Sequence, residues 1–107
     1  MVRHRVLASD EAARERRRLT SVRVRKLFWW GDRLAMDPTA GDNIRKGLIP
    51  RELKRRFGVE NLWRVELPGG WRLLYTIVAK VDVRPEVRVL RILSHKEYDR
   101  LFGYSTS

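Results

Sequence analysis

Two residues of one C-terminal segment, Arg72 and His95, have side chains suited to chemistry on a phosphodiester. Two apolar runs, 71–78 and 87–93, flank a polar connection containing Pro85, a pattern that predicts a β-hairpin. Arg72 opens the first predicted strand and His95 follows the second, so an antiparallel hairpin brings them near each other. A guanidinium binds phosphate oxygens, and an imidazole exchanges protons near neutral pH. The segment therefore predicts an anion-binding cation beside a proton carrier.

A further charged group, Glu52, Lys54, Arg55 and Arg56, lies just before the predicted sheet. RNA cleavage by internal attack of the 2′-hydroxyl needs a base, an acid for the leaving oxygen, and cations that offset the developing negative charge. Glu or His, His or Tyr, and Arg or Lys supply these roles. The chain has all three types near one predicted sheet edge.

Both residues of the hairpin also have purely structural interpretations. Arg72 at the rim of a sheet pairs readily with a carboxylate such as that of Glu66 or Glu52. Ser94 and Glu97 form a predicted capping box, which makes His95 an exposed first-turn residue with no chemical task. These interpretations stay open beside the chemical one.

The composition narrows the possible partners. The 107 residues include 24 Lys and Arg against 13 Asp and Glu, a net charge of +11. Such a charge attracts polyanions, so nucleic acid is the first candidate partner and an anionic membrane surface the second. Nineteen of the basic residues are Arg, which suits phosphate binding but also follows from a GC-rich genome. A basic protein neutralised by an acidic partner is a further interpretation.

Metal and membrane functions are not expected. Cys is absent, which excludes disulfides and thiolate metal sites. Because only two His are present, we expect no zinc site and no cofactor. No apolar run approaches the roughly 18 residues of a membrane span, and the N-terminus lacks the apolar core of a signal peptide. We therefore expect a cytoplasmic protein of one domain, 1–107, with no membrane partner.

Capping residues and apolar periodicity predict the helices. Ser9 caps a charged helix that runs to Leu19, and residues 22–35 carry an apolar helical stripe that ends before Pro38. We favour a helical hairpin joined near 19–21 over a single bent helix. A short helix over 51–57 ends at Gly58, and a C-terminal helix begins after Ser94.

Alternating apolar residues predict the strands. A weak strand covers 2–7, a loop covers 39–50, strands cover 61–67, 71–78 and 87–93, and 105–107 form a flexible tail. The predicted fold class is α+β. An N-terminal helical hairpin packs on a small antiparallel sheet, a meander of three to four strands, and a short C-terminal helix follows.

Three segments carry a resemblance to a known family: LIPRELKRRF, NLWRVELPGGWRLLYTI and VRVLRILSHKEYDRLFGY. In this order they resemble the RelE/ParE superfamily of toxins from type II toxin-antitoxin systems, and archaeal RelE-like members most of all. The order of the elements matches over nearly the whole chain, and the specific sequence motifs match over about residues 58–104. The resemblance implies one toxin domain and, in the RelE and YoeB branches, a metal-independent endoribonuclease that cuts mRNA in the ribosomal A site.

The resemblance also assigns roles to single residues. Arg72 matches the Arg of the strand motif RLxY, which stabilises phosphate charge, and His95 or Tyr98 takes the terminal acid-base position. Glu52 resembles the base of the YoeB-like branch, and Lys54 the Lys of RelE-like members. The residues expected to bind RNA are Arg45, Lys46, Arg55, Arg56, Arg64, Arg91 and Lys96.

The partners that the resemblance implies are the ribosome, mRNA and a cognate antitoxin. An acidic or amphipathic segment of the antitoxin is expected to cover the basic cleft or lie along the sheet. The aromatic pair Trp29–Trp30 is a candidate contact for it, although we expect one Trp in the core and the other at its rim.

Departures from the family pattern keep other functions open. Nine residues follow Tyr98, whereas YoeB-like toxins end almost immediately after their His-Tyr pair. The ParE branch shares the fold, lacks the nuclease residues and poisons gyrase. The alternatives to a nuclease are therefore a non-catalytic ParE-like gyrase poison, an RNA-binding module of the same fold, or a diverged inactive member.

Overall fold

A mixed sheet organises the protein in a computed structural model that describes residues 3–80 and 83–104. Its five strands lie in the order β1-β5-β4-β3-β2. The strands are β1 (Val6–Ala8), β2 (Asp42–Ile44), β3 (Leu62–Leu67), β4 (Trp71–Lys80) and β5 (Val83–Leu93). β1 pairs with β5 in parallel, and every other neighbouring pair is antiparallel.

Four α-helices and two short 3-10 turns complete the described chain. The helices are α1 (Asp10–Arg16), α2 (Ser21–Met36), α3 (Arg51–Phe57) and α4 (His95–Phe102), and the turns are Pro38–Ala40 and Lys46–Leu48. Ser9 caps α1, since its hydroxyl accepts from the Ala12 amide at 3.0 Å and donates to the Leu90 carbonyl at 2.7 Å. Gly58 ends α3 in the left-handed conformation that glycine adopts without strain.

Helices cover both faces of the sheet. Leu73 and Tyr75 of β4 belong to a core cluster that includes residues of α1 and α2. Leu74, between them, belongs to a second cluster that includes residues of α3 and α4. Because successive strand residues point to opposite faces, the molecule has three layers, and the middle of β4 is buried on both sides.

The predicted helical hairpin on a three- to four-stranded antiparallel sheet is therefore wrong, although the class remains α+β. α1 packs mainly on β5 and β1, and α2 on β3 and β1. An apolar crevice of about 290 Å³ lies between the two helices, so they do not close on each other as a hairpin. The sheet has five strands, lies mostly in the C-terminal part of the chain and is mixed because β1 joins β5 in parallel.

Several predicted elements are found and others are missed. The helix at 51–57 and the strands beginning near 61 and 71 are confirmed, whereas β5 begins at Val83, four residues before the predicted start at 87. β2 and both 3-10 turns fall in the predicted loop 39–50. Trp30 lies inside, donating from Nε1 to the Glu66 carbonyl at 3.1 Å, whereas Trp29 is half exposed. The predicted strand start at Val2 and the predicted tail 105–107 lie outside the described residues.

Candidate functional site

The first turn of α4 is fixed at one end of the sheet by a capping box and an ion pair. The Ser94 hydroxyl accepts from the Glu97 amide at 3.3 Å, and the Ser94 amide donates to Glu97 Oε1 at 2.9 Å. Arg18 donates from both terminal nitrogens to the same carboxylate, each at 2.9 Å. Mainly through these bonds, Arg18 lowers the pKa of Glu97 to about 2. His95, the first residue of α4, is thereby held over the sheet.

Arg72 lies at the start of β4 with its side chain only 15% exposed. Its Nη1 donates to the Gly70 carbonyl at 2.5 Å, and its Nη2 lies 3.6 Å from Glu66 Oε1. The pairing with Glu66 follows from the register, since the two residues are opposite each other on β3 and β4. The structural interpretation of Arg72 therefore applies, and any anion that binds its guanidinium competes with Glu66.

Tyr98 is buried between two guanidinium groups. Its hydroxyl accepts from Arg64 Nη1 at 3.0 Å, and its ring lies under Arg72, with Cζ 5.4 Å from the ring centroid. Only 3% of Tyr98 is exposed, so it orients the two arginines and does not present its hydroxyl to solvent. We call Arg64, Arg72 and Tyr98 the Tyr98 cluster.

His95 lies beside the same turn that binds Arg72. A β-carbon added at Gly70 would lie 3.3 Å from His95 Cβ and 3.7 Å from its Nδ1. Gly70 has φ +80°, a conformation that favours glycine, and its carbonyl accepts from Arg72. Gly70 therefore hydrogen-bonds to Arg72 and lies close to His95. The imidazole is 58% exposed, and its Nε2 lies 3.2 Å from Asp99 Oδ2.

Glu52 and Lys54 lie on α3 and are exposed. Glu52 Oε1 lies 4.0 Å from Arg91 Nη1. Within residues 3–80 and 83–104, no hydrogen bond or ion pair joins Glu52 or Lys54 to Arg72, Tyr98 or His95. The structure thus brings Arg72, Tyr98 and His95 to one end of the sheet. Glu52 and Lys54 on α3 make no direct contact of this kind with them.

Two of the arginines expected to bind RNA are paired with carboxylates of the same chain. Arg91 donates to Glu15 Oε2 from Nε at 2.9 Å and from Nη2 at 2.7 Å, and these bonds raise the pKa of Arg91. Arg56 donates to Glu11. Both acidic residues are on α1, so these pairs connect the N-terminal helix to β5 and α3.

The remaining basic residues of the predicted set lie in different places. Arg64 is part of the Tyr98 cluster and lies 3.6 Å from Asp42. The others are exposed on the 3-10 turn region, on α3 and on α4: Arg45, Lys46, Arg55 and Lys96. They form a dispersed positive surface around the cluster's side of the sheet and its edges, which attracts anions through its field rather than through a built pocket.

Sequence reasoning missed Asp99 and Gly70 as neighbours of His95. The contact with Asp99 could have been predicted from the sequence. Asp99 follows His95 by four residues on a predicted helix, and i and i+4 side chains meet on one helix face. The proximity of Gly70 could not have been predicted, because it depends on how α4 lies on the sheet.

Two grooves lie elsewhere on the molecule. One of about 600 Å³ is lined by residues including Asn61, Thr76 and Arg88, at the end of the sheet away from α4. The other is the apolar crevice between α1 and α2. Neither is lined by Arg72, Tyr98 or His95, so both are separate from the candidate site.

Searches of the described chain for two further features are negative. Among residues 3–80 and 83–104, no three His, Cys, Asp or Glu side chains are grouped so as to hold a metal ion. In the same ranges no helix has both the length and the apolar character needed to cross a membrane. Comparisons with protein-family models, curated proteins and solved structures find no match for this chain.

Proposed function

We propose that this protein is a RelE-like toxin of a type II toxin-antitoxin system, a ribosome-dependent endoribonuclease that cuts mRNA and inhibits translation. The proposal rests on the family resemblance of the segments around Arg72 and His95. The observation that supports it best is that Gly70 accepts a hydrogen bond from Arg72 and lies close to His95, so that a guanidinium and an exposed imidazole lie at one turn. The cognate antitoxin, the ribosome and mRNA are its proposed partners.

In this proposal Arg72 offsets the negative charge that develops on the phosphate, and His95 exchanges a proton with the reacting hydroxyl or the leaving oxygen. Arg72 reaches a phosphate through Nη2, which faces Glu66 in this structure. Glu66 is exposed, so the proposal requires its carboxylate to turn away when RNA binds. The ring of Tyr98, whose hydroxyl accepts from Arg64, supports the guanidinium of Arg72 from below.

A second candidate function, a non-catalytic RNA-binding module, is supported by the burial of the cluster. The side chain of Arg72 is largely covered and Tyr98 is buried, which leaves His95 as the one exposed proton-carrying side chain of the three. A net charge of +11 gives affinity for RNA without any chemistry.

Mapping of mRNA ends separates the two functions. Purified protein is added to translating ribosomes, and new ends are compared between the wild type, Arg72→Ala and the control Arg100→Ala. Arg100 is exposed on the same helix as His95. We expect cleavage by the wild type and the control, and a rate about a hundredfold lower for Arg72→Ala.

Intact mRNA with salt-dependent RNA binding supports the second candidate, and equal cleavage by Arg72→Ala contradicts the proposed role of that residue. Because loss of the Arg72 guanidinium disturbs Tyr98, Arg72→Lys serves as a second variant that keeps the charge. Its bidentate geometry is lost, so we expect it to cut more slowly than the wild type as well.

A further inference from the structure

We propose that Asp99 is a positioning residue for His95, which holds the imidazole in one rotamer with Nε2 toward the carboxylate and Nδ1 as the nitrogen that exchanges a proton with the substrate. Asp99 lies one helical turn after His95 on α4. The two side chains meet at 3.2 Å between Nε2 and Oδ2.

The burial of Asp99 makes this contact unusual for a surface histidine. The side chain of Asp99 is only 9% exposed, whereas that of His95 is 58% exposed. A buried carboxylate is costly unless a donor compensates it. Within the part of the chain that the structure describes, His95 is the one side chain that hydrogen-bonds or pairs with this carboxylate. Asp99 is therefore a buried group that lies next to an accessible imidazole.

The chemistry of the two groups determines which ring nitrogen is used. A carboxylate favours the tautomer whose proton is on the nearer ring nitrogen, and Nε2 is the nitrogen that lies 3.2 Å from Asp99 Oδ2. In the neutral ring Nδ1 is then unprotonated and able to act as a base. Nδ1 lies on the side of the ring that faces Gly70, where a β-carbon would contact it at 3.7 Å. The absence of a side chain at Gly70 leaves that side open toward the turn that binds Arg72.

The catalytic part of this inference rests on the proposed function, but its structural part is measured separately. Three-bond couplings and the Nε2-bound proton of His95 are recorded by NMR on the full-length protein, with His95→Ala used to distinguish the signal from that of His4. We expect one rotamer and an observable Nε2 proton in the wild type. We expect rotamer averaging and loss of that proton signal by solvent exchange in Asp99→Ala.

The isosteric Asp99→Asn keeps the packing and an acceptor oxygen, and it carries the test if Asp99→Ala does not fold. We expect it to retain the rotamer in part, with a weaker Nε2 proton signal, because a neutral amide accepts less strongly than a carboxylate. A His95 ring that is equally ordered in the wild type and in both variants overturns the inference, whatever the protein does to RNA.

The cleavage assay then tests the catalytic part. We expect Asp99→Ala to lower the single-turnover rate by about ten- to a hundredfold with little change in RNA affinity. In the His95→Ala background the same substitution is expected to have no further effect, since the two residues act as a unit. A full additional loss in that background overturns the inference. Wild-type protein that leaves RNA intact contradicts the proposed function, while the NMR result still decides the role of Asp99.

Discussion

Replacing Glu97 by Gln is expected to destabilise the protein at neutral pH and to have no effect in strong acid. Gln keeps the shape of the side chain and its capping oxygen, because Glu and Gln both complete a capping box with Ser94. What the substitution removes is the negative charge that binds Arg18 through two bonds of 2.9 Å. The change therefore isolates the ion pair that joins α4 to the segment after α1.

The magnitude follows from the pKa of Glu97. Its fall from 4.5 to about 2 in the folded protein corresponds to about 3.4 kcal/mol of stability at 1.36 kcal/mol per pKa unit. Solvent screens the pair, because 31% of the Glu97 side chain and 44% of the Arg18 side chain are exposed. We therefore expect a loss of about 1–2 kcal/mol in the free energy of unfolding.

The pH dependence has a defined sign. A carboxyl whose pKa is lowered by folding contributes its full stability above its unfolded pKa of 4.5 and loses it as the pH falls toward about 2. Urea denaturation of the wild type and Glu97→Gln between pH 7 and pH 2 measures this difference. We expect about 1–2 kcal/mol at pH 7 and a value near zero at pH 2.

Glu60→Gln is the matched control. Glu60 is exposed, and within the described residues it takes part in no ion pair, so its substitution is expected to change stability by less than about 0.5 kcal/mol. The reasoning is refuted by a difference in the free energy of unfolding between the wild type and Glu97→Gln that stays constant from pH 7 to pH 2. It is also refuted by a difference no larger than that of the control.

Two other substitutions test single contacts by chemical denaturation, and a third tests a buried tyrosine by titration. Tyr98→Phe removes the acceptor of Arg64 and is expected to cost about 1–2 kcal/mol, whereas Tyr104→Phe at an exposed position serves as its control and is expected to be neutral. Ser94→Ala removes the cap of α4 and is expected to cost about 1 kcal/mol, with a Thr replacement restoring most of it. Burial raises the pKa of Tyr75 to about 12. An alkaline absorbance titration of the wild type is therefore expected to show one tyrosine that ionises late, and this step is expected to be missing in Tyr75→Phe. A wild-type titration in which all tyrosines ionise together contradicts this.

Local patterns were sufficient to predict the elements that carry the candidate site. The Pro68–Gly70 turn forces β3 and β4 into an antiparallel pair, which sets Glu66 opposite Arg72. The capping residues Ser94 and Glu97 fix the start of α4 beside the end of β5. These features involve residues close in sequence, where turn chemistry and capping act directly.

The layers of the fold could not be predicted in the same way. β1 and β2 have three residues each, too few for an alternating pattern to establish a strand. The parallel pairing of β1 with β5 joins Val6 to Val87, a contact that no local pattern indicates. The apolar run through Leu73, Leu74 and Tyr75 was the available indication that helices cover both faces, since a strand buried on both sides loses its alternation.

Long-range ion pairs explain why the predicted RNA-binding set is only partly available. The spacing of Arg91 on an apolar strand gives no indication that Glu15, 76 residues earlier, binds it. The same holds for Arg56 and Glu11. Charge counts along the sequence thus overstate the basic residues that are available to a polyanion.

The chemistry of the RNA ends tests the central claim most directly. Internal attack by the 2′-hydroxyl, with Arg72 and His95 assisting at one turn, leaves a 2′,3′-cyclic phosphate on the upstream fragment. Sequencing with end-specific ligation of mRNA from translating ribosomes treated with the protein measures this end. The account predicts cyclic phosphate ends with the wild type and their near absence with His95→Ala and Arg72→Ala. Uncut mRNA, 3′-hydroxyl ends, or equal cyclic phosphate yields from all three proteins would contradict it.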